Sequence, residues 1–440
     1  MVRKIISIFI LVGLAFGAEA QNLTRSPYSA FGVGDLQFNG FAQQQSLGRI
    51  TQGVRSFVDY SISNPASYSA LRYTSYQVGM HAIDATFENS TQSQHTQTMA
   101  FGYFSLGFPI KSKGGAGGLG AVFGLQPYSA IGYSSFSNTV DTSTGFYQNV
   151  QEGSGGLNRF YAGLGWRITP KISIGFNASY MFGQLITTDK VYFNVDSSYL
   201  DYREDRTRFA GGLNFDVGIQ LHDSIGPKEK DNKIGYVIGA TYHLGSNINA
   251  SQQLYARTVF RTATQDFRRD TVLFTDGQQG TLAIPEAIRF GVGFGNGSKK
   301  RRWFLSAEYF TQNWKEYTSF GNSEQLSNLQ SASLGFSYQP EMAEYETDVS
   351  KKYYKFVNYK LGFRYANTRL TLNNTQLTEY GINFGLSLPV KPFKRVSYLH
   401  LGVEYNSRGS VNDNLIRENY YRFVLGFTLV DRWFRRYKYD

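Results

Sequence analysis

The residues able to do chemistry are few and scattered. Five histidines, His81, His95, His222, His243 and His400, stand far apart, and none lies at a metal-ligand spacing from another. There is no cysteine, which removes disulfides, thiolate metal sites and thiol nucleophiles. Gly115-Ala116-Gly117-Gly118-Leu119-Gly120 fits G-x-G-x-x-G, but a dinucleotide fingerprint must open a helix inside a βαβ unit. The next residues, Ala121-Val122-Phe123-Gly124-Leu125, read as strand, so a glycine-rich turn with close strand packing explains the motif better. Neither Gly-x-Ser-x-Gly nor His-Glu-x-x-His occurs, and these are the motifs that mark a nucleophile elbow or a zinc hydrolase. The expectation is a non-enzyme with no cofactor, no metal and no catalytic residue.

Two groups remain. Asn64-Pro65-Ala66 is either a hatch element that moves or a fixed Asx-Pro turn. His400 and Glu404 lie on one face of a candidate strand, with Asn383 inward on its neighbour. They would line a lumen, binding a ligand head group or forming a hydrogen-bond network, because a buried charge needs partners.

The elements that must position these residues are strands. Met1–Ala20 has a basic start (Arg3, Lys4), an apolar run and Ala18-Glu19-Ala20 as a small-x-small cleavage site, the pattern of a secretory signal peptide. Residues 21–72 are rich in turn chemistry, such as Ser26-Pro27 and Asn64-Pro65, and would fold into a barrel mouth as a plug. From 73 to 440 the chain falls into segments of about ten residues alternating apolar and polar, the signature of an outer-membrane barrel. Candidate strands are 73–84, 97–110, 116–127, 157–168, 171–182, 207–221, 234–245, 286–295, 302–312, 329–340, 357–367, 376–389, 396–406 and 420–430. In one of them Ile172, Ile174, Phe176, Ala178, Tyr180 and Phe182 would face lipid, and Ser173, Gly175, Asn177 and Ser179 would face inward. The fold expected is all-β, an antiparallel transmembrane barrel of about fourteen strands with an N-terminal plug.

Composition agrees. The 32 tyrosines and 35 phenylalanines supply aromatic girdles. The mean hydropathy is −0.33, as expected where only every second residue meets lipid. The net charge of +11 invites thoughts of nucleic acid. The basic residues instead cluster at strand ends, in Lys299–Arg302, Lys391/Lys394/Arg395 and Arg432/Arg435/Arg436/Lys438, with no basic helix or aromatic RNA-binding motif. There they would meet lipid phosphates or plain solvent. With both termini periplasmic, 128–156, 183–206 and 246–285 become long external loops, and in the last of these Leu254–Arg261 and Arg268–Phe274 would extend as a hairpin above the membrane. Residues 341–356 are long for a periplasmic turn.

The layout and several motifs resemble the FadL family of outer-membrane transporters for long-chain fatty acids and other hydrophobic compounds. The matching residues are Ser63-Asn64-Pro65-Ala66, Leu282–Gly291 with its Ile284-Pro285-Glu286, Gly163–Gly175 with its Trp-Arg-Ile-Thr-Pro-Lys turn, and Phe427–Phe434. Ser26-Pro27-Tyr28-Ser29 and Gly34-Asp35 are similar to a branch of FadL-like proteins in a secretion-competent lineage. The resemblance implies a fourteen-stranded barrel with an N-terminal hatch that includes Asn64, Pro65 and Ala66. Its ligand would shift the hatch and leave sideways through a gap in the wall, for which the glycine-rich 114–124 is the candidate place. Two functions are implied: passage of a hydrophobic or amphipathic small molecule, or an accessory barrel that binds protein subunits of a secretion complex, as in type IX secretion. The partners expected are outer-membrane lipid with either a small molecule or protein subunits, and no nucleic acid.

Overall fold

A computed structural model describes residues 23–431 apart from 113–117, 194–198, 227–232, 263–264, 297–299, 344–351, 392–395, 413–414, together with Trp433. The leader, Gly115-Ala116-Gly117 and the basic residues Lys299, Lys394, Arg395, Arg432, Arg435, Arg436 and Lys438 lie outside the described residues.

The strands are β1 Thr74–Glu88, β2 Ser93–Ser112, β3 Gly118–Pro127, β4 Ser129–Asp141, β5 Gly145–Arg167, β6 Ile172–Phe193, β7 Asp201–Ile225, β8 Ile234–His243 and β9 Ser246–Arg261. They continue as β10 Asp266–Ile284, β11 Ala287–Asn296, β12 Lys300–Gln312, β13 Leu329–Glu341, β14 Asn358–Leu372, β15 Thr375–Val390, β16 Ser397–Arg408 and β17 Arg417–Asp431. β3/β4, β8/β9 and β10/β11 are each one stave broken in the middle, so the sheet is an antiparallel 14-strand barrel. It closes where β1 pairs with β17, from Thr74↔Asp431 to Glu88↔Arg417.

Alternation builds the wall. On β6, Ile174, Phe176 and Tyr180 are 38%, 46% and 49% exposed, while Ser173, Asn177 and Ser179 are 0%, 2% and 1%. The same contrast runs round the barrel, through Leu334, Leu361, Ile382, Leu401 and Phe423. A continuous apolar belt of this kind is stable only against lipid. Tyr309, Tyr365, Tyr380 and Tyr421 ring one end of the belt, and Trp166 and Tyr338 stand at the other, where amphipathic rings suit the headgroup level. No helix among the described residues is long and apolar enough to cross a membrane.

The expected long loops are largely strand. β5, β6 and β7 run 23, 22 and 25 residues, roughly twice the ~9–11 that a tilted strand needs to cross. Their upper halves, with β4, β9 and β10, form a six-stranded sheet that rises from one side of the barrel. The β9/β10 arm contains the hairpin expected at Leu254–Arg261 and Arg268–Phe274; periodicity missed the rest for a physical reason. Above the membrane neither face meets lipid, so the strands carry Ser, Thr, Asn, Gln and charge on both sides and lose the two-residue signature.

Pairing also corrects the expected position of the wall gap. The described part of the glycine-rich stretch lies in a β2–β3 ladder that runs from Phe104↔Leu125 to Ser112↔Gly118 with one register shift, between Pro109 and Lys111. The wall parts above it. Past Leu125 the chain kinks at Tyr128, and β4 follows β5 alone. No ladder joins Ser93–Tyr103 of β2 to β4 among the described residues. The N-terminal segment runs beside this gap and pairs Asp35↔Ala130 and Leu36↔Ser129.

Candidate functional site in the lumen

The lumen is filled by Leu23–Arg72. Two proline turns shape it. Ser26 caps a 3-10 turn, Pro27–Ala30, and Asn64 caps another, Pro65–Ala70. Proline at the first helical position has its φ preset there and gives up an N–H that would be unpaired anyway. Between them a one-turn helix, Ala42–Gln45, runs into a turn in which Gly48 takes a φ of +72°, a left-handed conformation that glycine adopts without strain.

The wall meets this segment with glycine. A Cβ on Gly175 would lie 2.2 Å from the Pro65 carbonyl carbon, and one on Gly218 2.4 Å from Asn64 Oδ1. Around the barrel Gly239 abuts Gln52 O at 2.3 Å, Gly335 abuts Leu47 O at 2.5 Å and Gly362 abuts Gly48 N at 2.0 Å on the same construction. Side-chain-free wall positions let plug backbone and wall backbone touch.

Asn64, Pro65 and Ala66 therefore sit within this close contact. All three are buried. Asn64 Oδ1 accepts from the Ala66 N–H at 3.1 Å, and its Nδ2 donates to Gln52 Oε1 at 2.7 Å and to the Ile219 carbonyl at 3.2 Å. The arrangement is an Asx-Pro turn hydrogen-bonded to the wall.

A charged layer lies above. Glu404 takes Arg49 at 2.8 Å, Arg422 at 3.5 Å and a hydrogen bond from Gln45 at 2.7 Å. Glu308 takes Arg289 at 2.9 Å and accepts from the Thr51 and Gln52 backbone N–H groups at 2.5 and 2.8 Å. Arg408 bridges Asp35 at 2.9 Å and Glu418 at 2.5 Å, and donates to Ser26 Oγ at 2.8 Å. Each cluster joins wall to plug. Arg55 reaches Gln220 at 2.9 Å and Ser173 at 3.2 Å.

The three lumen residues expected from sequence all point inward and are buried: His400 2%, Glu404 1%, Asn383 0%. They are not one site. Asn383 sits directly across the ladder from Glu404. His400 lies between Ser387 Oγ and Thr428 Oγ1, both at 2.8 Å. No carboxylate orients His400, and both its ring nitrogens are occupied. His243 holds Asp216 at 2.6 Å, but its other nitrogen faces the Asn214 amide at 3.2 Å, not a nucleophile. Among the described residues no three His, Cys, Asp or Glu converge as metal ligands. Sequence reading missed Arg49, Glu308, Arg408 and Glu418. For Glu308 the available signal was its inward phase on the candidate strand 302–312; Arg49 lies in the plug, and Arg408 and Glu418 lie beyond the ends of the candidate strands.

Apolar clusters close both ends of this layer. Toward the extracellular rim, Tyr28, Val33, Ile131, Leu185, Ile248, Leu282, Trp314, Tyr317 and Leu370 form a buried core. On the other side Phe41, Tyr60, Tyr68, Tyr103 and Tyr161 form a second, with Tyr60 bonded to Ser105 at 2.8 Å and Tyr68 to Asn177 at 3.0 Å. Among the cavities in the described residues are two of about 150 and 120 Å³. A dry apolar cavity of ~150 Å³ holds a benzene. The first is lined by Asn39, Arg159, Asp216, Arg289 and Glu308 together with the apolar Leu36, Phe38, Ile288 and Phe310, the second by Arg49, Arg364, Glu379, Arg408 and Glu418 together with Leu23, Ile83, Phe87 and Leu370. Charge stands among apolar groups in both, so neither is a dry apolar cavity.

Replacing Glu404 with Ala strands Arg49 and Arg422 in a buried layer. Stranding one side of a buried ion pair costs about 3–5 kcal/mol. The folded barrel should unfold at clearly lower denaturant, read by its heat-modifiable gel mobility, and Glu404→Gln should fall between the two.

One family model, described as BamG, matches residues 1–440. No curated protein matches the chain in sequence. Solved structures do match in fold. The toluene transporter TbuX of Ralstonia pickettii aligns with a TM-score of 0.56 at 12% identity, over 89% of this chain and 98% of its own. A Pseudomonas aeruginosa FadL homologue gives 0.53 at 11%, covering 90% and 98%. The P. putida toluene transporter TodX gives 0.53 at 14%, covering 90% and 100%. At these identities the likeness is one of architecture.

Proposed function

The chain belongs to the BamG family, and from that premise we propose that it is a non-enzymatic outer-membrane barrel working as an accessory or scaffold subunit of an outer-membrane secretion or assembly complex, through its surfaces rather than its lumen. One observation carries this reading. The lumen is closed in three layers, an apolar lid, an ion-paired middle and a plug seated on wall glycines. A path for hydrocarbon needs continuous apolar lining, and charge interrupts it in the middle layer. Moving a hydrophobic molecule through it would mean breaking several buried ion pairs without replacing them.

The test has two parts. The intact protein in planar bilayers should show no stepwise conductance. Purified in mild detergent from its native membrane, it should bring a stoichiometric protein and no small molecule. Hydrocarbon or lipid retained in the lumen, found by mass spectrometry, would overturn the scaffold reading.

The second reading is passage of a hydrophobic or amphipathic small molecule. The opening between β2 and β4 favours it, since a ligand could leave sideways there, and the structural neighbours named as toluene transporters share the fold. In that reading Asn64-Pro65-Ala66 would be the part that moves.

A further inference from the structure

The wall gap leaves a strand edge that the chain uses at its foot and leaves open above. β4 is paired with β5 from Ile131↔Gly155 to Asp141↔Gly145 in unbroken register. On its other side Ser129 and Ala130 pair with Leu36 and Asp35, and the Gly132 N–H donates to Ser29 Oγ at 3.0 Å. From Tyr133 to Asp141 no strand lies on that side among the described residues. A row of backbone N–H and C=O groups is presented there above the barrel rim.

Such edges are usually blunted by proline, lysine, bulges or shortness. This one has none of these. Tyr133–Asp141 reads Tyr-Ser-Ser-Phe-Ser-Asn-Thr-Val-Asp, with no Pro, Lys or Arg. Phe136 and Val140 share one face and are 66% and 80% exposed.

We propose that the edge of β4 from Tyr133 to Asp141 is a docking site for an extended segment of a partner protein, which adds to the sheet as an antiparallel strand with apolar residues over Phe136 and Val140. Strand addition takes its affinity from main-chain hydrogen bonds and its specificity from alternate side chains. The precedent is internal, because Asp35–Leu36 already occupies the lower part of this edge antiparallel to β4. A second copy is the other occupant the experiment tests, since its β2 edge at Ser93–Tyr103 is without a ladder on this side among the described residues and runs antiparallel to β4. In one membrane its β4 runs in the same direction and cannot pair antiparallel. Its β10 edge runs the right way, but its register breaks opposite Gln252/Leu254, Ala256/Arg257 and Thr258/Val259. The proposal rests on the scaffold reading and names the surface through which it acts.

The experiment places a photo-crosslinking residue at Ser135, Ser137 or Thr139 of the full chain in its native cells, with Gln148 on β5 as a control. Expected are adducts to one foreign protein in which successive probes reach successively earlier residues of a single segment. The double variant F136K/V140K, with unchanged heat-modifiable mobility, should lower the adduct yield roughly tenfold, the effect of ~1.4 kcal/mol on an equilibrium. Adducts to a second copy, to residues before Leu23, or to scattered partner residues would overturn the proposal. A partner crosslinked only from other surfaces would overturn it and leave the scaffold reading standing. No protein adduct from any surface would remove both.

Discussion

Deleting residues 23–72 should turn a silent barrel into a conducting pore. The wall loses almost no backbone pairing, since Asp35–Leu36 alone of that segment pairs with it. It loses occupants. Barrels of eight strands are filled by their own side chains, and those of sixteen to eighteen leave an aqueous channel. Fourteen staves lie between, and here the inward positions facing the plug are often glycine, too small to fill the space. Glu308, Glu404 and Glu418 would lose Thr51, Arg49 and Ser26. In an open lumen they would be hydrated rather than stranded, so the cost of deletion is far below that of cutting one buried partner. Planar bilayers should show discrete openings for the deleted form and none for the parent. A deleted barrel that keeps its heat-modifiable mobility yet stays silent would place the seal in the apolar lid around Trp314 and Tyr317 alone.

Gly175→Leu should unseat the plug. Its Cβ would meet the Pro65 carbonyl carbon and the Ala66 nitrogen at 2.2 and 2.4 Å. Neither is a side chain that can rotate away. The wall is held by β5 and β7 on either side, so the plug must yield. Overpacking a close-packed interior costs about 1–3 kcal/mol, and more where backbone must shift. Loss of the Asn64 bonds to Gln52 and Ile219 adds to it. Protease should then cut within 23–72 while the wall stays intact, and the folded band should disappear at lower temperature. Gly235→Ala, with no neighbour closer than 3.7 Å, should do neither. An unchanged, protected plug in Gly175→Leu would mean that the contact is soft.

Sequence made the wall legible because lipid imposes a rule on every second residue. Ile174 and Ser173 could be assigned to opposite faces without any coordinates. The same rule is silent where lipid is absent. β4 and the upper halves of β5 to β7 read as loop because both of their faces are wet. The plug was legible as a segment, from Ser26-Pro27 and Asn64-Pro65, but its partners were not. Arg408 and Asp35 are 373 positions apart in sequence, and a single chain carries no mark of such a pairing. The gap was misplaced because glycine was read as a weak point in the ladder. In the wall it serves instead as the surface on which the plug rests.

The pairing of β1 with β17 sets an order of events. The strands that meet there are the first and the last of the wall, and the plug precedes both. A polypeptide emerging amino end first presents its stopper before any bottle exists. The wall cannot close around the stopper without the fifteen residues of the last strand, Arg417 to Asp431. A chain cut anywhere before Arg417 would therefore yield a cup with one side missing and the edge of β1 unpaired.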